Sequence, residues 1–179
     1  IGAAGLGRAR GDRDVIVFDM GGTTAKAVII EDGRPSMTSE YEFRDGMSTS
    51  SRFIKAGGYM LKVPAIDIAE VGAGGGSLAG IDAGGLLKVG PESAGAAPGP
   101  ACYGLGNTRP TVTDANVVLG ILNPNALAGG RLTIDRGLAE RAIKEHVATP
   151  LSLSVEEAAH GIRAVANAAM ARAIRAVTV

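Results

Sequence analysis

Tryptophan is absent from this 179-residue sequence, aromatic residues reach only 3%, and one cysteine, Cys102, is present. A single thiol excludes an internal disulfide and any multi-cysteine zinc site, and it suits a reducing cytoplasm. Charge of neither sign is in excess, with Lys+Arg and Asp+Glu at 18 each. That balance argues against a basic nucleic-acid-binding domain, and 46% hydrophobic residues argue against a disordered tail. No run of 18 apolar residues occurs, so no segment reads as a membrane-spanning helix. The start, IGAAGLGRARGDRD, lacks the apolar stretch of a signal peptide and an initiator methionine. The last apolar-periodic segment reaches Val179 without a Gly, Asn or Pro stop signal. Both ends are therefore expected to be cuts in a longer chain.

What the sequence has in surplus is glycine, at 27 residues, about twice the usual share. Asp14 to Met20 (DVIVFDM) is an almost wholly apolar, β-branched run, which predicts a strand buried on both faces. Ala25 to Glu31 predicts a second strand, closed by the turn Asp32-Gly33-Arg34-Pro35, and Ser36 to Phe43 a third that returns as the outer strand of a meander. Arg44 to Ala56 reads as loop or a short helix. Tyr59 to Val71 is extended around Pro64 and leads into Gly72-Ala73-Gly74-Gly75-Gly76-Ser77. Ser77 to Asp82 and Leu86 to Val89 predict a hairpin, and Gly90 to Arg109 an unusually long loop. Thr113 or Asp114 caps a helix running through Leu122, and Asp135 caps another through Val147. Ser154 and Glu157 stand at capping-box spacing before a long helix with an apolar stripe at Ile162, Val165, Ala169, Met170, Ala173, Ile174 and Val177.

Three segments carry chemistry. In DMGGTT, Asp19 to Thr24, two glycines let backbone N–H groups converge on a phosphate, Thr23 and Thr24 add hydroxyls, and Asp19 can hold Mg2+. The segment is neither a Walker A loop nor a Rossmann fingerprint, because a strand follows it where those need a helix. An ordinary hairpin turn explains the same pattern. The cluster Gly72 to Ser77 permits close approach of a ligand, with Ser77 as a phosphate contact, or equally a hinge or bulge at a sheet corner. TVTDAN, Thr111 to Asn116, sets Asp114 and Asn116 near a helix start, suited to a metal-linked water or to simple capping. Cys102 has no visible base, because His146 and His160 both lie in predicted helices, so it reads better as packing than as a nucleophile.

Taken together and in this order, DMGGTT, VGAGGGSLAGID, VGPESAGAAPGPACYG and PTVTDANVVLG resemble the hydantoinase A/5-oxoprolinase family across nearly the whole chain. The resemblance implies an α/β fold, an actin-like (ribonuclease H-like) ATPase lobe whose mixed sheet starts with a strand-turn-strand meander and is followed by helices. It implies that residues 1–179 are a partial hydantoinase A domain, the second ATPase lobe cut at both ends. It further implies ATP and Mg2+ as cofactors and hydrolysis of a cyclic amide through carbonyl phosphorylation, or an ATP-dependent carboxylase of the acetone type. A nucleotide-coupled module without catalysis is the rival from another class. By the same resemblance Asp19, Gly21, Gly22, Thr23 and Thr24 take the phosphate role, with Asp19 on the metal. Gly74, Gly75, Gly76, Ser77, the loop around Pro98 to Tyr103, Asp114 and Asn116 are candidates for lining the cleft, with Cys102 beside them and Asp114 a catalytic candidate. The family's first phosphate loop and its nucleoside-binding segment have no counterpart here, so the isolated residues are expected to be inactive. A hydantoinase B-type subunit is the implied partner.

Overall fold

The computed structural model describes residues 1–39, 41–44, 47–50, 59–125 and 132–178. They group into two compact units, one of Ile1–Asp19, Ala25–Val71 and Met170–Val179, the other of Met20–Thr24 and Gly72–Ala169.

The first unit opens with helix α1 (Gly2–Arg10), which ends at Gly11 in the left-handed conformation with φ +84°. Nothing local announces this helix, since it contains three glycines and no side chain caps its start. Strands β1 (Val15–Met20), β2 (Ala25–Glu31) and β3 (Arg34–Pro35) follow in the expected strand-turn-strand order. Ala25, Ala27 and Ile30 of β2 are buried. The expectation that β1 is buried on both faces is wrong. Ile16 is 52% exposed, Phe18 38% and Met20 40%. The strand is an edge, paired among the described residues with β2 alone, and an apolar run signals burial only when layers pack on both its faces.

The meander also stops early. β3 takes the Ile30–Glu31 end of β2, while β9 (Ala69–Val71) pairs antiparallel with its start, Ala25 against Val71. The stretch expected as a third strand is divided instead. β4 (Met37–Thr38) pairs with β8 (Ala65–Ile66), and β5 (Tyr41–Arg44) joins a separate antiparallel sheet with β6 (Met47–Ser50) and β7 (Tyr59–Leu61). Part of the segment read as loop or short helix is thus strand, where a Thr and Ser run meets a pairing partner. Residues 45–46 and 51–56 of that expectation lie outside the described residues.

The second unit contains the predicted hairpin, β10 (Ser77–Ile81) antiparallel to β11 (Leu87–Ser93), with a register shift between Ser77 and Ala79. β11 runs four residues into the segment expected as loop, and Ala101–Tyr103 form a 3-10 turn within the remainder. Helix α2 (Val112–Val118) is capped by Thr111, not by Thr113 or Asp114. Asp114 sits at N3 and completes the capping box. The helix stops before Asn123-Pro124, where Gly120 takes φ +69°. Asp135 caps α3 (Arg136–Ile143) as expected, and the helical path continues as a π-turn, Lys144–Ala148, into α4 (Thr149–Leu151). Ser154 and Glu157 close the predicted capping box on α5 (Val155–Thr178): the Ser154 N–H donates to Glu157 Oε2 at 2.8 Å and the Glu157 N–H to Ser154 Oγ at 3.2 Å. Of its predicted stripe Ile162, Ala169, Met170 and Ala173 are buried, Val165, Ile174 and Val177 are half-buried, and Ala166 is buried beside them. Among the described residues no helix is long and apolar enough to cross a membrane.

Candidate functional site

The glycine turn after β1 is built from behind by the second glycine cluster. The Gly21 N–H closes the turn on the Thr24 carbonyl at 2.9 Å, while the Gly75 N–H donates to the Gly21 carbonyl at 3.0 Å and the Gly76 N–H to the Gly22 carbonyl at 2.6 Å. A methyl group added at Gly74 would lie 2.7 Å from the Gly21 oxygen and from the Gly22 carbonyl carbon and oxygen. Glycine is required there because two backbones touch. The cluster's other amides also turn inward, Gly74 N–H to Ser77 Oγ at 2.8 Å and Ser77 N–H to the Gly74 carbonyl at 3.1 Å. All four amides from Gly74 to Ser77 are therefore engaged within the protein, and Ser77 is fully buried.

Gly22 is different. Nothing lies within 4 Å of the position its Cβ would occupy, and among the described residues the Gly22 and Thr23 amides have no acceptor. Both residues line a cavity of about 450 Å³ together with Gly75, Gly76 and Thr113, and with Gly95, Ala96, Pro100 and Tyr103 of the loop. No charged side chain lines it. Its donors are backbone amides and hydroxyls, the set that suits an anionic group approached closely by main chain. Thr23 Oγ1 lies 3.3 Å from Ser93 Oγ, which also accepts the Gly95 N–H at 3.1 Å.

The loop wall of the cavity is held by Asp114. This carboxylate is fully buried, and four donors converge on it: Ala101 N–H at 3.1 Å, Thr111 N–H at 2.8 Å and Thr111 Oγ1 at 2.8 Å on Oδ2, and Cys102 N–H at 2.8 Å on Oδ1. The residue before it reaches the glycine cluster, since the Thr113 N–H and Oγ1 both donate to the Gly75 carbonyl, at 2.8 and 2.9 Å. One connected set of hydrogen bonds thus runs from the turn through the glycine cluster and the start of α2 to the 3-10 turn.

Of the residues singled out from sequence, Gly22, Thr23, Gly75 and Gly76 meet in the cavity lining. Gly21, Gly74, Ser77 and Asp114 stand behind it as its support, and the Thr24 carbonyl closes the turn. Asn116 lies along α2, half-buried and outside the lining. Asp19, in the first unit, is exposed on β1. Among the described residues no three His, Cys, Asp or Glu side chains group as a metal site. Thr113 reads from sequence only as a cap, and Gly95 and Ala96 are lost in a loop without periodicity; no local signal separates them from their neighbours.

Cys102 is fully buried, and neither its thiol nor its backbone lines the cavity, although Pro100 and Tyr103 beside it do. Burial, and then the charge of Asp114, push the thiol far above the ordinary cysteine range. Iodoacetamide at pH 8 should therefore leave Cys102 unmodified in the folded protein and label it fully in denaturant, as peptide mass spectrometry would read. Rapid labelling of the folded protein would contradict this placement.

The hydantoinase/oxoprolinase family model matches residues 1–179. The chain is 43% identical over 166 residues to the caprolactamase subunit alpha of Pseudomonas jessenii, covering 93% of this chain and 22% of that one. It is 40% identical over 176 residues to the acetophenone carboxylase gamma subunit of Aromatoleum aromaticum, covering 98% and 22%. The crystal structure of the ATP-dependent caprolactamase from Pseudomonas jessenii superposes with a TM-score of 0.77 at 44% identity, over 97% of this chain and 24% of that one. The chain thus spans under a quarter of the length of each of these relatives.

Proposed function

The chain belongs to the hydantoinase/oxoprolinase family, and from that premise we propose that it is the phosphate-holding part of an ATP-dependent hydrolase of cyclic amides. One observation carries the reading: Gly22 and Thr23 line a cavity and their amides have no partner among the described residues, while the amides from Gly74 to Ser77 behind them are all engaged. Unpartnered amides on a rigid support are preorganised donors for phosphate oxygens, and they act without reorganising as charge shifts.

ATP supplies a phosphoryl group to the ring carbonyl oxygen, which makes an inert amide one that water can open. The chain's own contribution is positional. Gly22 and Thr23 donate to phosphate oxygens, and the Thr23 hydroxyl adds a third donor. Asp19 is the proposed Mg2+ ligand. A nucleotide-borne Mg2+ needs only one or two protein carboxylates and keeps its waters, and Asp19 is exposed and enters no ion pair among the described residues. Asp114 acts by position, fixing the Ala101–Tyr103 wall. The likeness to subunits of multi-subunit enzymes supports a partner, which we take to be of the hydantoinase B type. The strand-turn-strand start supports an actin-like lobe for the fold.

A second reading has its own support, because the acetophenone carboxylase relative is nearly as similar as the caprolactamase one. The same donors would then hold ATP for phosphorylation of an enolate or of bicarbonate. Release of ADP by the full-length protein separates the two. The hydrolase reading expects ADP release to rise at least about tenfold when a lactam or hydantoin is added, and to ignore bicarbonate. Turnover that needs bicarbonate would replace it with carboxylation, and turnover indifferent to both would leave a nucleotide-coupled module.

A further inference from the structure

Three residues lining the cavity carry a hydroxyl: Thr23, Tyr103 and Thr113. Thr113 Oγ1 is engaged with the Gly75 carbonyl and Thr23 Oγ1 lies against Ser93 Oγ, but among the described residues the Tyr103 hydroxyl has no hydrogen-bond partner. The ring is nonetheless placed closely. Gly99 takes φ +72°, and a methyl group there would stand 2.8 Å from Tyr103 Cδ2, so the ring occupies the space that glycine leaves. The Tyr103 N–H donates to the Pro100 carbonyl at 3.0 Å, and the two preceding amides end on Asp114. A fixed ring that lines the cavity together with Ala96 and Pro100, and whose hydroxyl no described residue engages, is suited to reading one polar group on a mostly apolar ligand.

We propose that Tyr103 is a specificity-determining contact for the phosphoryl acceptor, its phenol oxygen accepting the ring N–H of a cyclic secondary amide. This rests on the reading above that the acceptor is a cyclic amide. The direction of the hydrogen bond follows from the chemistry. The carbonyl oxygen must offer a lone pair to phosphorus, and a phenol donating to that oxygen would withdraw the density the attack needs. As the carbonyl oxygen attacks, amide resonance places positive charge on nitrogen and makes its N–H a stronger donor, so an acceptor on the N–H side strengthens its hold as the reaction proceeds. Burial raises the phenol above its ordinary range, which keeps it a neutral partner at working pH.

The test compares wild type with Tyr103→Phe in the full-length protein, which keeps the ring against Gly99, on two lactams of equal ring size, one with N–H and one N-methylated. ADP release gives kcat/KM; where the N-methyl ring is not turned over, its inhibition constant replaces that value. The expected result is a loss of about tenfold on the N–H lactam, a change within about twofold on the N-methyl lactam, and an unchanged KM for ATP. Equal losses on both rings, or none on either, would overturn the assignment of Tyr103 while leaving the cyclic-amide reading standing. If wild type releases no ADP with any lactam, the cyclic-amide reading itself fails and the inference falls with it.

Discussion

Gly74→Ala is expected to lower ATP-dependent activity on the order of a hundredfold and stability by about 1–3 kcal/mol, although Gly74 itself is not among the residues lining the cavity. The added methyl would sit 2.7 Å from three backbone atoms of Gly21 and Gly22, and neither they nor Gly74 has a flexible end that can swing aside. The Gly75–Gly21 and Gly76–Gly22 hydrogen bonds fix the same two backbones at 3.0 and 2.6 Å, so relief means displacing the turn that presents the Gly22 and Thr23 amides. Gly22→Ala gives the opposite pattern. Its methyl meets nothing within 4 Å, so the folded chain tolerates it, while on the proposed reading the methyl would stand in the way of an approaching phosphate. Thermal denaturation alongside activity separates the two variants, and a Gly74→Ala protein of wild-type stability would contradict the packing described.

Asp114→Ala is expected to destabilise the chain by about 3 kcal/mol or more, because it strips the acceptor from three buried amides and one hydroxyl at once. For a chain of this size that corresponds to a melting temperature lower by about 6–12 °C. Asp114→Asn keeps one acceptor but turns an NH2 group toward donors, so it recovers only part of the loss. Both variants should also raise the KM of the cyclic amide by about tenfold or more, since the Ala101–Tyr103 turn loses the carboxylate that fixes it. A variant at Asp114 with wild-type melting and reduced activity alone would show instead that the carboxylate acts on a reacting group.

What was legible in the sequence was what short-range chemistry decides. The turn at Gly21 and Gly22 between two strands, the hairpin between Ser77 and Val89, the Asp135 cap and the Ser154–Glu157 capping box each depend on residues within a few positions of one another. At TVTD the sequence offers Thr113 or Asp114 as the cap, whereas Thr111 caps the helix and Asp114 holds the buried amides at Ala101 and Cys102, partners more than ten residues away that the local run does not show. The glycine cluster was visible, but its function was not. Whether Gly74 is there for a ligand or for another stretch of backbone is decided by Gly21 and Gly22, some fifty residues earlier, whose backbone fills the space beside it. The exposure of β1 was illegible for the same reason, since Ile16, Phe18 and Met20 state an affinity for apolar contact without saying what supplies it.

The central claim is that the Gly22 and Thr23 amides receive the phosphates of ATP. Calorimetric titration of Mg-ATP into the full-length protein carrying Gly22→Ala tests it directly. The account predicts binding weakened at least about a hundredfold with the melting temperature unchanged, because a methyl blocks the approach without disturbing the turn. Wild-type affinity for Mg-ATP in that variant would contradict it.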